Sequence, residues 1–152
     1  MGKYARVRLL GGIAMTRSEA RKNALELLFE REFRLDETNE EIFATSCEQR
    51  EIEKDPYIKA VYFGVCENLE AIDEEINKNA KGWKATRLSK VSRSILRLCI
   101  YEMMFEKEIP MRVSINEGIE LAKIYEDEKA RPFINGVLNS IKNSLGGDAD
   151  EK

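Results

Sequence analysis

With 152 residues and a mass of 17.5 kDa, the chain is long enough for one ordinary domain and too short for two sizeable ones. Charged residues make up 35% of it and hydrophobic ones 43%, a balance that suits a globular protein with one moderate core. Histidine is absent, which excludes Ser-His-Asp and Cys-His catalysis and any histidine-based zinc site.

The net charge of −3 hides an asymmetry. Residues 1–22 hold six basic side chains against the single acid Glu19, a net +5, which leaves −8 on the remainder. A basic end on an acidic body suits a protein that meets a polyanion locally, and it equally suits a merely solubilising N-terminus. The opening segment places Lys3, Arg6 and Arg8 before an apolar stretch from Leu9 to Ala14 that is shorter than a usual secretion signal. No apolar run approaches the roughly 20 residues of a membrane span. The three cysteines, Cys47, Cys66 and Cys99, form no CxxC pair; an odd count without metal spacing fits the reducing cytoplasm. Residues 1–14 are expected to be a disordered basic extension and 146–152 a disordered charged tail.

Three prolines and nine glycines are too little punctuation for many short strands, so helices are expected throughout. Thr16-Arg17-Ser18-Glu19 has the capping-box pattern, in which a threonine hydroxyl and a glutamate carboxylate each satisfy a free backbone amide. The first ordered element is expected there, running through Ala20, Ala24, Leu27 and Leu28 to about Phe33. Asp36 to Glu41 reads as a loop, and Ile42, Phe43 and Cys47 mark a second, shorter helix. Asp55-Pro56 offers an N-cap and a first-turn proline. From there Ile58, Val61, Tyr62, Val65, Leu69, Ile72 and Ile76 predict one helix of about 25 residues, closed by Asn79 to Gly82. Thr86 to Ser89 suggests a single turn. Val91, Ile95, Leu98, Cys99 and Met103 then predict a strong helix to about Glu106, and Pro110 breaks the chain. Ser114-Ile115-Asn116-Glu117 reads as another capping box. Pro132 opens the last helix, and Gly146-Gly147 ends it. The expected fold class is all-α, with six or seven helices.

Enzyme parts are missing. The carboxylate clusters Glu40-Glu41 and Asp73-Glu74-Glu75 sit in solvent-like stretches, and no GxxxxGKS or GxGxxG loop occurs. Arg17 and Arg21, four apart, share a helical face at the start of the first helix, with Lys22 beside them. Positive charge there opposes the helix dipole, which makes sense if a phosphate approaches the same terminus. Phe29 lies two turns further along that side. Phe133 follows Lys129 and Arg131, a second basic cluster at a helix start. Charge with aromatics fits single-stranded nucleic acid, although for either phenylalanine taken alone core packing is the more usual role.

Three ordered blocks carry a more specific signal: Arg93-Ser94-Ile95-Leu96-Arg97-Leu98-Cys99-Ile100-Tyr101-Glu102, Ser114-Ile115-Asn116-Glu117-Gly118-Ile119-Glu120-Leu121-Ala122-Lys123 and Phe133-Ile134-Asn135-Gly136-Val137-Leu138. With Ile109-Pro110 between the first two, the chain from about Met15 to Ser144 resembles the NusB family of bacterial transcription antitermination factors. The resemblance implies two small helical bundles packed as one domain over residues 15–145, and no catalysis, metal or cofactor. It implies binding to the boxA element of nascent ribosomal-RNA transcripts together with NusE, a small-subunit ribosomal protein, within the RNA polymerase antitermination complex. On this chain the family's arginine-rich motif falls on Arg17, Arg21 and Lys22, its aromatic on Phe29, and its terminal motif on Phe133 and Asn135, near Lys129 and Arg131. The NusE surface falls around Ser92 and Arg93. Ser18 and Glu19 dilute the arginine run of many members, and Ser92 stands where some carry an acid. Two other readings are a helical RNA-binding module related to the N-terminal domain of ribosomal-RNA methyltransferases, and a helical adaptor that binds only proteins.

Overall fold

The computed structural model describes residues 6–8, 14–52 and 55–146. They form seven α-helices and a two-stranded ribbon, and the chain divides into two compact units, residues 1–66 and 67–152.

In the first unit, β1 (Arg6–Arg8) pairs antiparallel with β2 (Ala14–Thr16), Val7 opposite Met15. An element therefore precedes Thr16, contrary to the sequence expectation. The other residues assigned to a disordered extension, 1–5 and 9–13, lie outside the described residues, as does the tail from 147. Helix α1 (Arg17–Arg31) opens on the expected capping box: the Glu19 amide donates to Thr16 Oγ1 at 3.0 Å, and the Thr16 amide to Glu19 Oε1 at 2.7 Å. Helix α2 (Asn39–Arg50) begins earlier than expected, because Thr38 and Glu41 form a second box of the same kind at 3.1 and 2.8 Å. Arg34 closes the α1–α2 connection by donating to Glu30 at 2.6 Å, to Glu37 and to Ser46 at 3.1 Å. Helix α3 (Pro56–Glu67) is capped by Asp55, whose Oδ1 accepts from the Ile58 amide at 2.9 Å. Ala24, Leu28, Ile42, Cys47, Ile58, Val61 and Tyr62 make the buried interior here.

The single long helix expected from Pro56 is instead two. Asn68, at φ −116° and ψ 22°, leaves the helical region, and α4 (Leu69–Asn79) starts after it. The apolar steps run through this break undisturbed, so periodicity alone does not reveal it. What separates the halves is where their seams are buried: Ile58 to Val65 in the first unit, Ile72 and Ile76 in the second.

In the second unit a 3₁₀ turn over Ala85–Arg87 leads to α5 (Lys90–Phe105), which packs against α4, α6 (Met111–Tyr125) and α7 (Ala130–Ser144). Helix α5 is buried almost all round, from Ser92 to Met103 with the exception of Arg93. The polar residues of its signature serve architecture. Arg97 grips Asp73 of α4 with two bonds, at 2.9 and 2.7 Å, and the buried Glu102 accepts from Ser114 Oγ at 2.7 Å. That last bond corrects the expected capping box at Ser114. Helix α6 already starts at Met111 after Pro110, and Ser114 faces inward one turn later. Gly146, at φ +75°, takes the left-handed conformation that ends α7.

Candidate nucleic-acid interface

The start of α1 carries the first expected cluster. Lys22 is exposed and points to solvent. Arg17 is half-buried; its guanidinium lies 4.2 Å from the centroid of the Tyr57 ring, within cation–π range. Arg17 Nε is buried and has no hydrogen-bond partner among the described residues. Arg21 departs from the expectation. It is only 1% exposed, and its guanidinium centre lies 5.8 Å from the same ring. The reason is its place on the helix: Ala24, Leu25 and Leu28, three, four and seven residues on, are all buried, so position 21 belongs to the inward face. Arg21 is not open to a phosphate as it stands. Phe29 is half-buried, its ring edge-on to that of Phe33 at 5.1 Å, with Phe33 well exposed.

The start of α7 carries the second cluster. Asp127 Oδ1 accepts from the Lys129 and Ala130 amides at 3.0 and 3.1 Å, which fixes the entry to the helix and leaves the Lys129 side chain exposed. Arg131 and Asn135, one turn apart, share a wall of an open depression of about 480 Å³ between α6 and α7. Lys123, on the α6 side, is held by Glu120 at 3.0 Å. Arg131 Nε has no hydrogen-bond partner among the described residues, and the Asn135 carboxamide oxygen accepts from Asn139 at 2.9 Å. Phe133 is outside that wall and half-buried; its ring meets Trp83 in an edge-to-face pair at 6.4 Å. Trp83 lies in a stretch with no helical period, so the apolar pattern of the sequence does not single it out. The lysine that follows it, Lys84, was the available signal.

Of the pair expected at a partner surface, Ser92 is 6% exposed and its hydroxyl donates to Glu126 Oε2, which also accepts from Ser89 at 2.7 Å. Ser92 therefore ties α5 to the end of α6 and offers little to a partner. Arg93 is half-buried and donates to the Ala85 carbonyl at 3.1 Å. Among the described residues no three His, Cys, Asp or Glu side chains are grouped to hold a metal ion, and no helix is long and apolar enough to cross a membrane.

Comparison with known proteins gives one consistent result. The model of the NusB family matches residues 18–143. The chain is 43% identical over 131 residues to the transcription antitermination protein NusB of Bacillus pumilus (strain SAFR-032), covering 86% of this chain and 98% of that one. Its fold is similar to that of T. maritima NusB, with a TM-score of 0.76, 37% identity and coverage of 85% and 92%. It is also similar to an antitermination-factor chain in a crystal structure of NusB and NusE in complex with dsRNA: TM-score 0.75, 31% identity, coverage 84% and 96%.

Proposed function

The chain belongs to the NusB family, and on that premise we propose that it is a transcription antitermination protein that acts by binding RNA jointly with NusE, without catalysis. Its RNA target in this reading is the boxA element of nascent ribosomal-RNA transcripts, and the outcome is an RNA polymerase that resists termination. The observation that carries the proposal is the near end-to-end likeness, 84% of this chain and 96% of the other, to a protein crystallised with NusE and dsRNA.

The residues support a binding role of a definite kind. Lys22 and Arg17 present positive charge at the N-terminus of α1, where the first amides of the helix add to the attraction for a phosphate. Lys129 and Arg131 bring positive charge to the start of α7, where Asp127 already takes the first amides, so the side chains carry the attraction there. Asn135 follows one turn on as a hydrogen-bonding group, and Phe133 adds an aromatic ring. Phosphate contacts of this type set affinity and register, whereas base contacts set sequence preference. For NusE the proposal keeps the outer side of the second unit around Arg93, with Ser92 behind it holding Glu126 in place.

Fluorescence anisotropy of a short labelled boxA RNA tests the proposal, first with the chain alone and then with NusE added. Binding that tightens on addition of NusE, and that a scrambled RNA does not reproduce, is the expected result. NusE binding with no RNA binding under either condition would leave a protein-only adaptor and overturn the proposal.

A further inference from the structure

The strongest concentration of positive charge in this chain lies outside the clusters described above. Residues 76–101 hold seven basic side chains, Lys78, Lys81, Lys84, Arg87, Lys90, Arg93 and Arg97, and not one acid, in a protein whose net charge is −3. Lys78 is paired with Glu75, Arg97 with Asp73, and Arg93 donates to the Ala85 carbonyl. Lys81, Lys84 and Arg87 are exposed along the α4–α5 connection, as is Lys90 at the start of α5. In their midst stands Trp83, 52% exposed.

This connection is held in shape. Lys81 and Gly82 both have positive φ, 33° and 85°, and the Trp83 amide donates back to the Ala80 carbonyl at 3.2 Å, so the chain turns sharply just before the indole. After it, Ala85 is tied at both ends, its amide to Asn77 Oδ1 at 2.8 Å and its carbonyl to Arg93. The edge of the indole pair is set by Phe133 of α7. A half-exposed indole on a pinned turn, flanked along the chain by exposed Lys81, Lys84 and Arg87 and braced by a second aromatic, suits a flat ring carried on a polyanion. A hydrophobic protein partner would not need the charge, and a phosphate alone would not need the indole.

We infer that the α4–α5 connection is a further single-stranded RNA surface, in which Trp83 stacks on a base while Lys81, Lys84 and Arg87 neutralise the flanking phosphates. It rests on the proposed function and extends that site from the start of α7 across Phe133 to Trp83, all within the second unit.

Trp83 is the only tryptophan of the chain, so its emission reports on this surface alone. Titration of the full chain, with and without NusE, with unlabelled boxA RNA should quench that emission in step with the anisotropy of a labelled strand. Replacing Lys81, Lys84 and Arg87 together by glutamine should lower the salt slope of binding by about 2, at about 0.7 per phosphate on a single strand. Trp83→Ala should weaken binding about tenfold with an unchanged slope, and Trp83→Phe should restore most of the loss, since stacking needs a ring and not an indole. All three variants change exposed positions, and circular dichroism is the check that each keeps its fold. RNA binding that leaves Trp83 emission unmoved and the triple variant's affinity and slope intact overturns this inference alone. A triple variant that loses NusE but keeps RNA assigns the surface to protein and overturns it too. Absence of RNA binding by the unsubstituted chain in both conditions overturns the proposed function with it.

Discussion

Tyr62 shows how much a single buried group contributes to the behaviour of this fold. Its side chain is fully buried, its hydroxyl donates to the Asn39 carbonyl at 3.1 Å, and its ring packs against Phe43 at 5.5 Å. Burial pushes the phenol well above its ordinary value of 10, with the neighbouring Cys66 adding to the effect. Below that pH both folded and unfolded chains keep the proton. As the pH rises past 10 the unfolded chain loses it first, so stability present below pH 10 is lost on the way up to the folded-state value. Urea midpoints measured between about pH 9 and pH 11 should therefore fall for the natural chain and fall less for Tyr62→Phe. At neutral pH the same variant should cost about 1 kcal/mol, the net worth of one hydrogen bond. Equal alkaline losses in the two proteins would mean that Tyr62 is not the group responsible. Arg21 belongs to the same scale. An arginine is the residue type most readily assigned to a phosphate, yet here it lies inside, close to the Tyr57 ring.

Between elements, the α5–α6–α7 packing is tight at Gly118. A Cβ built there would sit 2.7 Å from Cys99 Sγ and 3.1 Å from Leu138 Cδ1, both closer than the contact distance of such atoms. Alanine would ordinarily favour a helix by about 1 kcal/mol over glycine. In this place the overlap should outweigh that gain and leave Gly118→Ala about 1–2 kcal/mol less stable, in the range of modest overpacking. Cys99 is buried, so its sulfur has little room to swing away. In a Cys99→Ala background most of the overlap disappears, and Gly118→Ala should become nearly neutral there. A double-mutant cycle by denaturant unfolding measures that coupling, and additive effects would place the strain elsewhere. Helix ends follow simpler local rules. The boxes at Thr16 and Thr38 form from residues three apart, and Asp55 caps its own helix, because every partner lies within one turn.

Over the whole molecule the feature that matters for function is the distribution of charge. A chain of net −3 has no general affinity for a polyanion, so binding must come from local basic surfaces and must weaken with salt. In the proposed function, with Arg21 inside, the α1 contribution would rest on Arg17 and Lys22. Replacing both by glutamine should lower the salt slope of RNA binding by about 1.4, at about 0.7 per phosphate, and cost about 0.5–1 kcal/mol of stability through the lost contact of Arg17 with the Tyr57 ring. Arg21→Gln alone should act in the reverse sense, lowering stability while the slope stays put. If instead Arg21→Gln changes the slope and the Arg17/Lys22 double variant does not, the side chains at the start of α1 exchange roles on binding RNA.

The helix content, most helix starts and the family were legible from residues near one another along the chain. Capping boxes, the Pro110 break, the Gly146 stop and the signature blocks all act or are recognised over short spans, where sequence distance equals spatial distance. Ser114 shows where that equivalence ends. Its spacing to Glu117 suits a cap, but the fold starts α6 at Met111 and directs the hydroxyl to Glu102 on the preceding helix instead. The break at Asn68 follows the same logic: an unbroken seam fits one helix, and only the folded backbone, with Ile58 to Val65 in the first unit and Ile72 and Ile76 in the second, divides it. The placement of the candidate site side chains depended most on tertiary structure. Charge and spacing mark Arg17, Arg21, Lys22 and Ser92 as equally available, whereas packing buries Arg21 and Ser92 and leaves Lys22 outside. Exposure is set by what the rest of the chain stacks against a residue, and no local pattern encodes that. The pairing of Trp83 with Phe133, fifty residues further along the chain, came into being only when α7 packed beside α4.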